Sequence, residues 1–184
     1  MARLFILLSL SLISTGTLDA FAQPTEGSAP VAESESSEAS AGSDLTVLPL
    51  TEDDINLLQA QRGFIERYMT VEETKAYDSA DGKLQLISRL LEKAEFLPED
   101  TWELQCLGVI LGDALAMHPR LEWVAFEDEY GRDAALHVAD TTIVMFPITM
   151  ISKRIERGEQ VDALLLYDGI LAELDRVLKS GEYQ

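Results

Sequence analysis

The chain has 184 residues, with 14 Lys+Arg against 33 Asp+Glu and a formal charge of -19 at pH 7. Phosphate backbones and anionic headgroups are recognised by clustered cations, so this balance excludes general nucleic-acid binding and charge-driven membrane docking. One Cys excludes an intramolecular disulfide framework, and two His with one Cys do not make a standard zinc set.

The amino terminus carries one base, Arg3, then the apolar run Leu4–Ile13, then polar residues ending in Ala20-Phe21-Ala22. That order is the pattern of a secretory signal peptide, and cleavage is expected after Ala22. The run is about half of the ~20 residues that cross a bilayer, so no membrane span is expected once the signal is removed. The expected location is periplasmic or secreted. Residues 23–44 are built from Ser, Glu, Ala, Gly and Pro, with five acids and no base. Such a segment buries too little apolar surface to offset its ordering entropy and reads as a disordered acidic linker.

From Leu45 to Gln184 the pattern is that of a single domain. Thr51 is a helix N-cap with Asp54 three residues on; Ile55, Leu58, Phe64, Ile65 and Tyr68 follow on one helical face. A second helix is expected from about Gly82 to Glu95. Pro98-Glu99-Asp100 suits the first turn of a third, which is apolar almost all round from Trp102 to Leu115 and therefore central. Strands are expected over Glu122–Glu127, Ala134–Val138 and Thr142–Phe146, and their short connections force an antiparallel meander. Pro147 opens a helix through Arg157, with Gly158 as its C′ residue, and a last helix starts near Val161. The expected fold is α+β, with helices on one face of a three-stranded antiparallel β-meander.

The stretches Leu107-Gly-Val-Ile-Leu-Gly-Asp113, Leu121-Glu-Trp123, Asp128-Glu-Tyr-Gly131 and Phe146-Pro-Ile-Thr-Met-Ile-Ser-Lys-Arg154-Ile-Glu-Arg-Gly-Glu159 resemble an uncharacterised bacterial domain-of-unknown-function family. The resemblance spans roughly Leu107 to Glu159 and implies a module with no activity to transfer.

Several residues are candidates for chemistry. Gly108 and Gly112 lie one turn apart on the apolar helix and cost about 2 kcal/mol of helix propensity together, which close approach of another element would offset. Asp113, beside them, must be paired or hydrogen-bonded, and a cation from Lys153-Arg154 or backbone donors of the meander are the expected partners. As a general acid it would be a catalytic candidate with Glu127 and Glu129. The turn Glu127–Asp133 gathers four carboxylates, which raises a calcium site, although the spacing is not that of an EF-hand. The plain alternative is a solvated turn partly neutralised by Arg132. Lys153, Arg154 and Arg157 form the one dense basic group. The plain reading is interaction with a helix carboxyl end and local pairs to Glu156 and Glu159. The sharper and favoured one is that Arg154 reaches Asp128 or Glu129 across the sheet, and an anion-binding site is the third. Asp128, Glu129, Tyr130, Arg132, Lys153 and Arg154 are the expected binding residues. Trp123 reads as core, Cys106 as a buried small hydrophobe.

No Gly-rich phosphate loop, dinucleotide fingerprint or nucleophile elbow is present, and neither His118 nor His137 has a metal-ligand partner at the right spacing, so no cofactor and no metal is expected. The first expectation is therefore a non-enzymatic protein- or ligand-binding module of the cell envelope, contacting an envelope protein or small ligand through the meander. An envelope enzyme working through Asp113, Glu127 or Glu129 is the alternative, and a cation-binding module is the third.

Overall fold

The computed structural model describes residues 46–128 and 131–181. The expected signal peptide and linker lie outside the described residues, as do Glu129 and Tyr130. The elements run β1 (Thr46–Leu48), α1 (Glu52–Glu66), α2 (Val71–Ala76), α3 (Ala80–Glu92), α4 (Thr101–Leu115), β2 (Leu121–Asp128), β3 (Gly131–Val138), β4 (Val144–Met145), a 3-10 turn (Pro147–Thr149), α5 (Ser152–Glu156) and α6 (Ala163–Ser180).

The fold is α+β, and the sheet has four antiparallel strands in the order β1-β2-β3-β4. The expected three-stranded meander is β2, β3 and β4. The additional strand, β1, pairs Val47 with Phe126 across the edge of β2 after four intervening helices. Three residues before Pro49 are too few to show a period of two, so only the long-range pairing reveals this strand. The third strand is shorter than expected, and the helix expected from Pro147 to Arg157 is broken into the 3-10 turn and α5.

Helix α1 starts where Thr51 predicts: its hydroxyl accepts from Asp54 N–H while the Asp54 carboxylate accepts from Thr51 N–H, a capping box. Helix α2 opens with the same device, Thr70 and Glu73. Arg89 of α3 donates to Glu73 and to the Tyr68 carbonyl, which ties this short helix down although none of its residues is buried. Helix α4 is the centre of the molecule, with every residue from Cys106 to Gly112 buried. The α3, α4 and α6 apolar stripes share one core with the helix-facing side of the sheet, formed by Leu121, Leu136, Val138 and Met145.

Alternation along β2 and β3 places Trp123 and Leu136 toward the helices and Val124, Phe126 and Ala135 away from them. The outward set joins Val144, Val47 and Phe146 in a second apolar cluster, with Phe126 and Phe146 edge to face at 5.3 Å.

Candidate functional site

The two glycines of α4 permit close contacts with the chain packed against that helix. A Cβ built on Gly108 would lie 2.1 Å from the Ile148 carbonyl oxygen, and one on Gly112 would lie 2.3 Å from the Trp123 ring. The chain therefore approaches α4 at backbone distance at Gly108, and the Trp123 indole of β2 fills the space left at Gly112. This is the close approach that the glycine spacing predicts.

Seating Trp123 there brings its indole to Asp113. Trp123 Nε1 donates to Asp113 Oδ1 at 3.0 Å, while Arg62 donates through Nη2 to Oδ1 and through Nε to Oδ2, both at 2.7 Å. Three donors thus converge on one carboxylate in a bidentate geometry. The Asp113 hydrogen bonds raise Arg62 above the usual arginine range against the opposing effect of burial. The expected partner, Lys153 or Arg154, is replaced by Arg62 because α1 packs along α4, whereas those two side chains belong to α5. Arg62 lies four residues after Leu58 and three before Ile65, both buried, so a cation within α1's apolar stripe was the sequence signal for this pair.

Other polar groups surround the node. Burial, and then the charges of Asp113 and Glu66, push the Tyr77 phenol well above its ordinary range. Lys83 donates to the Tyr77 carbonyl and lies 3.8 Å from the centre of its ring; burial lowers its pKa. Among the described residues, Gln61 Oε1 and Tyr77 Oη are buried without a hydrogen-bond partner.

The hairpin end forms a second, separate ion-pair network. Arg132 donates to Asp54 at 2.8 Å, to the Pro49 carbonyl at 3.0 Å and to Glu127 at 3.4 Å. The expected neutralisation of the acidic turn by Arg132 is present, but its main partner is the capping-box carboxylate of α1. Asp128 ends β2, and Arg154 donates to the Met150 carbonyl one turn back at 2.7 Å. Lys153 is exposed, Arg157 pairs with Glu159 at 2.6 Å, and Glu156 accepts from Thr101. His137 bonds the Thr141 carbonyl through Nε2 at 2.8 Å, and His118 Nδ1 accepts from Arg120 N–H at 3.3 Å. Cys106 is free and buried, as expected. Among the described residues no group of three or more His, Cys, Asp or Glu side chains is arranged to hold a metal ion, and no helix is long and apolar enough to cross a membrane.

The packing of α4 against the meander, built on Gly108, Gly112, Asp113 and Trp123, falls within a recognised sequence unit. Residues 83–167 match the model of a family described as a domain of unknown function, DUF3806. The matched segment runs from α3 into the first turn of α6 and contains the Leu107–Glu159 motifs, including Asp113, Trp123 and Arg154. Arg62 lies outside it, so the Asp113 node joins the matched segment to α1. No curated protein matches the chain. A crystal structure of a protein from Bacteroides thetaiotaomicron VPI-5482 is similar in fold, with a TM-score of 0.57 and 13% identity. The likeness covers 69% of this chain and 47% of that one, so this chain spans about half the length of its structural relative.

Proposed function

We propose that the protein is an exported, non-enzymatic binding module of the cell envelope that engages a partner protein. The observation that carries the reading is the engagement of the candidate acid–base carboxylates in structural pairs. Asp113 accepts three hydrogen bonds from Arg62 and Trp123, and Glu127 is paired with Arg132. Trp123 and Glu127 are four residues apart on β2, about 13 Å of strand. The Asp113 carboxylate bonds the Trp123 indole at one end of this stretch and Glu127 pairs with Arg132 at the other, so the two carboxylates belong to separate networks. The signal-like amino terminus supports export, and the surplus of acids supports a soluble protein without polyanionic partners.

Two measurements test the reading. Amino-terminal sequencing of the protein from the periplasmic fraction is expected to begin at Gln23; a cytoplasmic, uncleaved product would overturn the export claim. Cross-linking in the intact envelope is expected to yield a defined partner that binds the purified chain. Turnover of an envelope substrate that Asp113→Asn or Glu127→Gln abolishes without unfolding the protein would replace the binding module with an enzyme.

A further inference from the structure

Away from the Asp113 node, one end of the helical layer carries an aromatic platform: Phe64, Tyr68 and Phe96 pack against the core and leave Trp102 exposed at its edge. Phe64 of α1 lies 4.8 Å from Trp102 at the start of α4, 5.9 Å from Phe96 and 5.5 Å from Tyr68. Trp102 is 43% exposed and the neighbouring Leu97 52%, large values for apolar side chains. The Arg67 guanidinium rests 4.7 Å from the centre of the Phe64 ring, so one face of the platform already holds a cation. The chain that builds it, from Glu92 to Glu103, holds five carboxylates against the single Lys93. Glu95, Glu99 and Glu103 form no ion pair among the described residues, and Asp100 is occupied by the Leu97 N–H.

We infer that this platform is the docking site for a lysine- or arginine-bearing peptide segment of a partner protein. The claim rests on the binding-module reading and adds a place and a chemistry to it. Exposed aromatic faces attract cations, and the unpaired acids beside them select positive charge over negative. The aliphatic stem of Lys or Arg packs against Leu97 and Trp102 while its head turns to Glu99 or Glu103. A purely apolar partner leaves those acids uncompensated. Arg67 occupies a neighbouring ring and repels an incoming cation, so it tunes the site downward.

The test uses the full chain and an acetylated octapeptide of two Lys-Leu-Arg-Ser repeats, with Glu replacing Lys and Arg in the control. The two indole N–H resonances separate the tryptophans: that of Trp102 is expected to shift on titration while that of Trp123 stays. Trp102→Ala is expected to weaken binding by about tenfold or more, the range of a lost hot-spot aromatic. Glu99→Gln with Glu103→Gln weakens it and flattens its salt dependence, whereas Arg67→Gln tightens it. A circular dichroism melt of each variant confirms that the fold survives. Equal binding of the acidic peptide, or no binding of the basic one, overturns the proposal. So does self-association of the chain that Trp102→Ala abolishes. Basic-peptide binding that Trp102→Ala leaves untouched overturns this site while the binding-module reading stands.

Discussion

Gly63, Gly108 and Gly112 all sit in helices, yet a methyl group at each meets a different environment. At Gly63 nothing lies within 4 Å of the new Cβ. Gly63→Ala is therefore expected to stabilise the protein by up to about 1 kcal/mol, the helix-propensity difference. At Gly112 the Cβ would enter the Trp123 ring, which the Asp113 hydrogen bond holds in place, and Gly112→Ala should cost roughly 1–3 kcal/mol through overpacking. At Gly108 the obstacle is the Ile148 backbone, which has no rotamer to change, so Gly108→Ala should be the worst of the three. Urea denaturation of the three variants checks this order, and a neutral Gly112→Ala would remove the close-approach argument. Asp54 supplies a second residue-scale prediction. Hydrogen bonds from Arg132, aided by Thr51, hold its carboxyl at about 2 against an ordinary 3.8. Its folded value is the lower one, so its contribution is full above the unfolded value and is lost as pH falls from about 4 through 2. Asp54→Asn should flatten the acid limb of the stability curve over that window.

At the scale of elements, two arginine–carboxylate ties fix α1 from opposite ends. Asp54 in its first turn holds Arg132 of β3, and Arg62 in its last turn and a half holds Asp113 of α4. The Arg62–Asp113 side chains are 26% and 14% exposed, so the full penalty of a buried broken pair does not apply. Asp113→Asn is expected to cost on the order of 1–3 kcal/mol, mainly by leaving Arg62 without its counter-charge. A double-mutant cycle with Arg62→Met should show strong coupling, because the second change removes the stranded cation. Additive costs would mean that the pair is not an energetic unit. The elements themselves were unevenly legible. Thr51 with Asp54 marks the start of α1 in the sequence, and the same spacing, Thr70 with Glu73, marks α2. Helix α2 escapes an apolar-period reading because it buries no residue, yet its capping box was there to be read.

Over the whole molecule, Cys106 of α4 is fully buried in the main core, and burial pushes its thiol up to about 12, with the Glu103 charge adding to this. At pH 8 a thiol reagent is therefore expected to label the folded protein only through opening, at a rate that rises with urea in step with unfolding. Fast labelling of the native state would show that the α4 layer is not closed over this residue. Two surfaces differ in chemistry: the hairpin end, where Arg132 is spent on Asp54 and Glu127, and the Trp102 platform, where Glu95, Glu99 and Glu103 form no ion pair among the described residues.

Composition and local pattern were enough for the α+β class, the central place of α4, the close approach at Gly108 and Gly112, and the burial of Cys106. Each follows from properties of one segment: its period, its caps, its missing side chains. The pairing of Asp113 with Arg62, of Arg132 with Asp54, and of β1 with β2 joins residues 51, 78 and about 80 positions apart. Charge and hydrogen-bonding capacity say that Asp113 needs a cation, but several arginines satisfy that need equally in one dimension. Only the packing of α1 along α4 brings one of them within 2.7 Å of the carboxylate and leaves Lys153 and Arg154 on another helix.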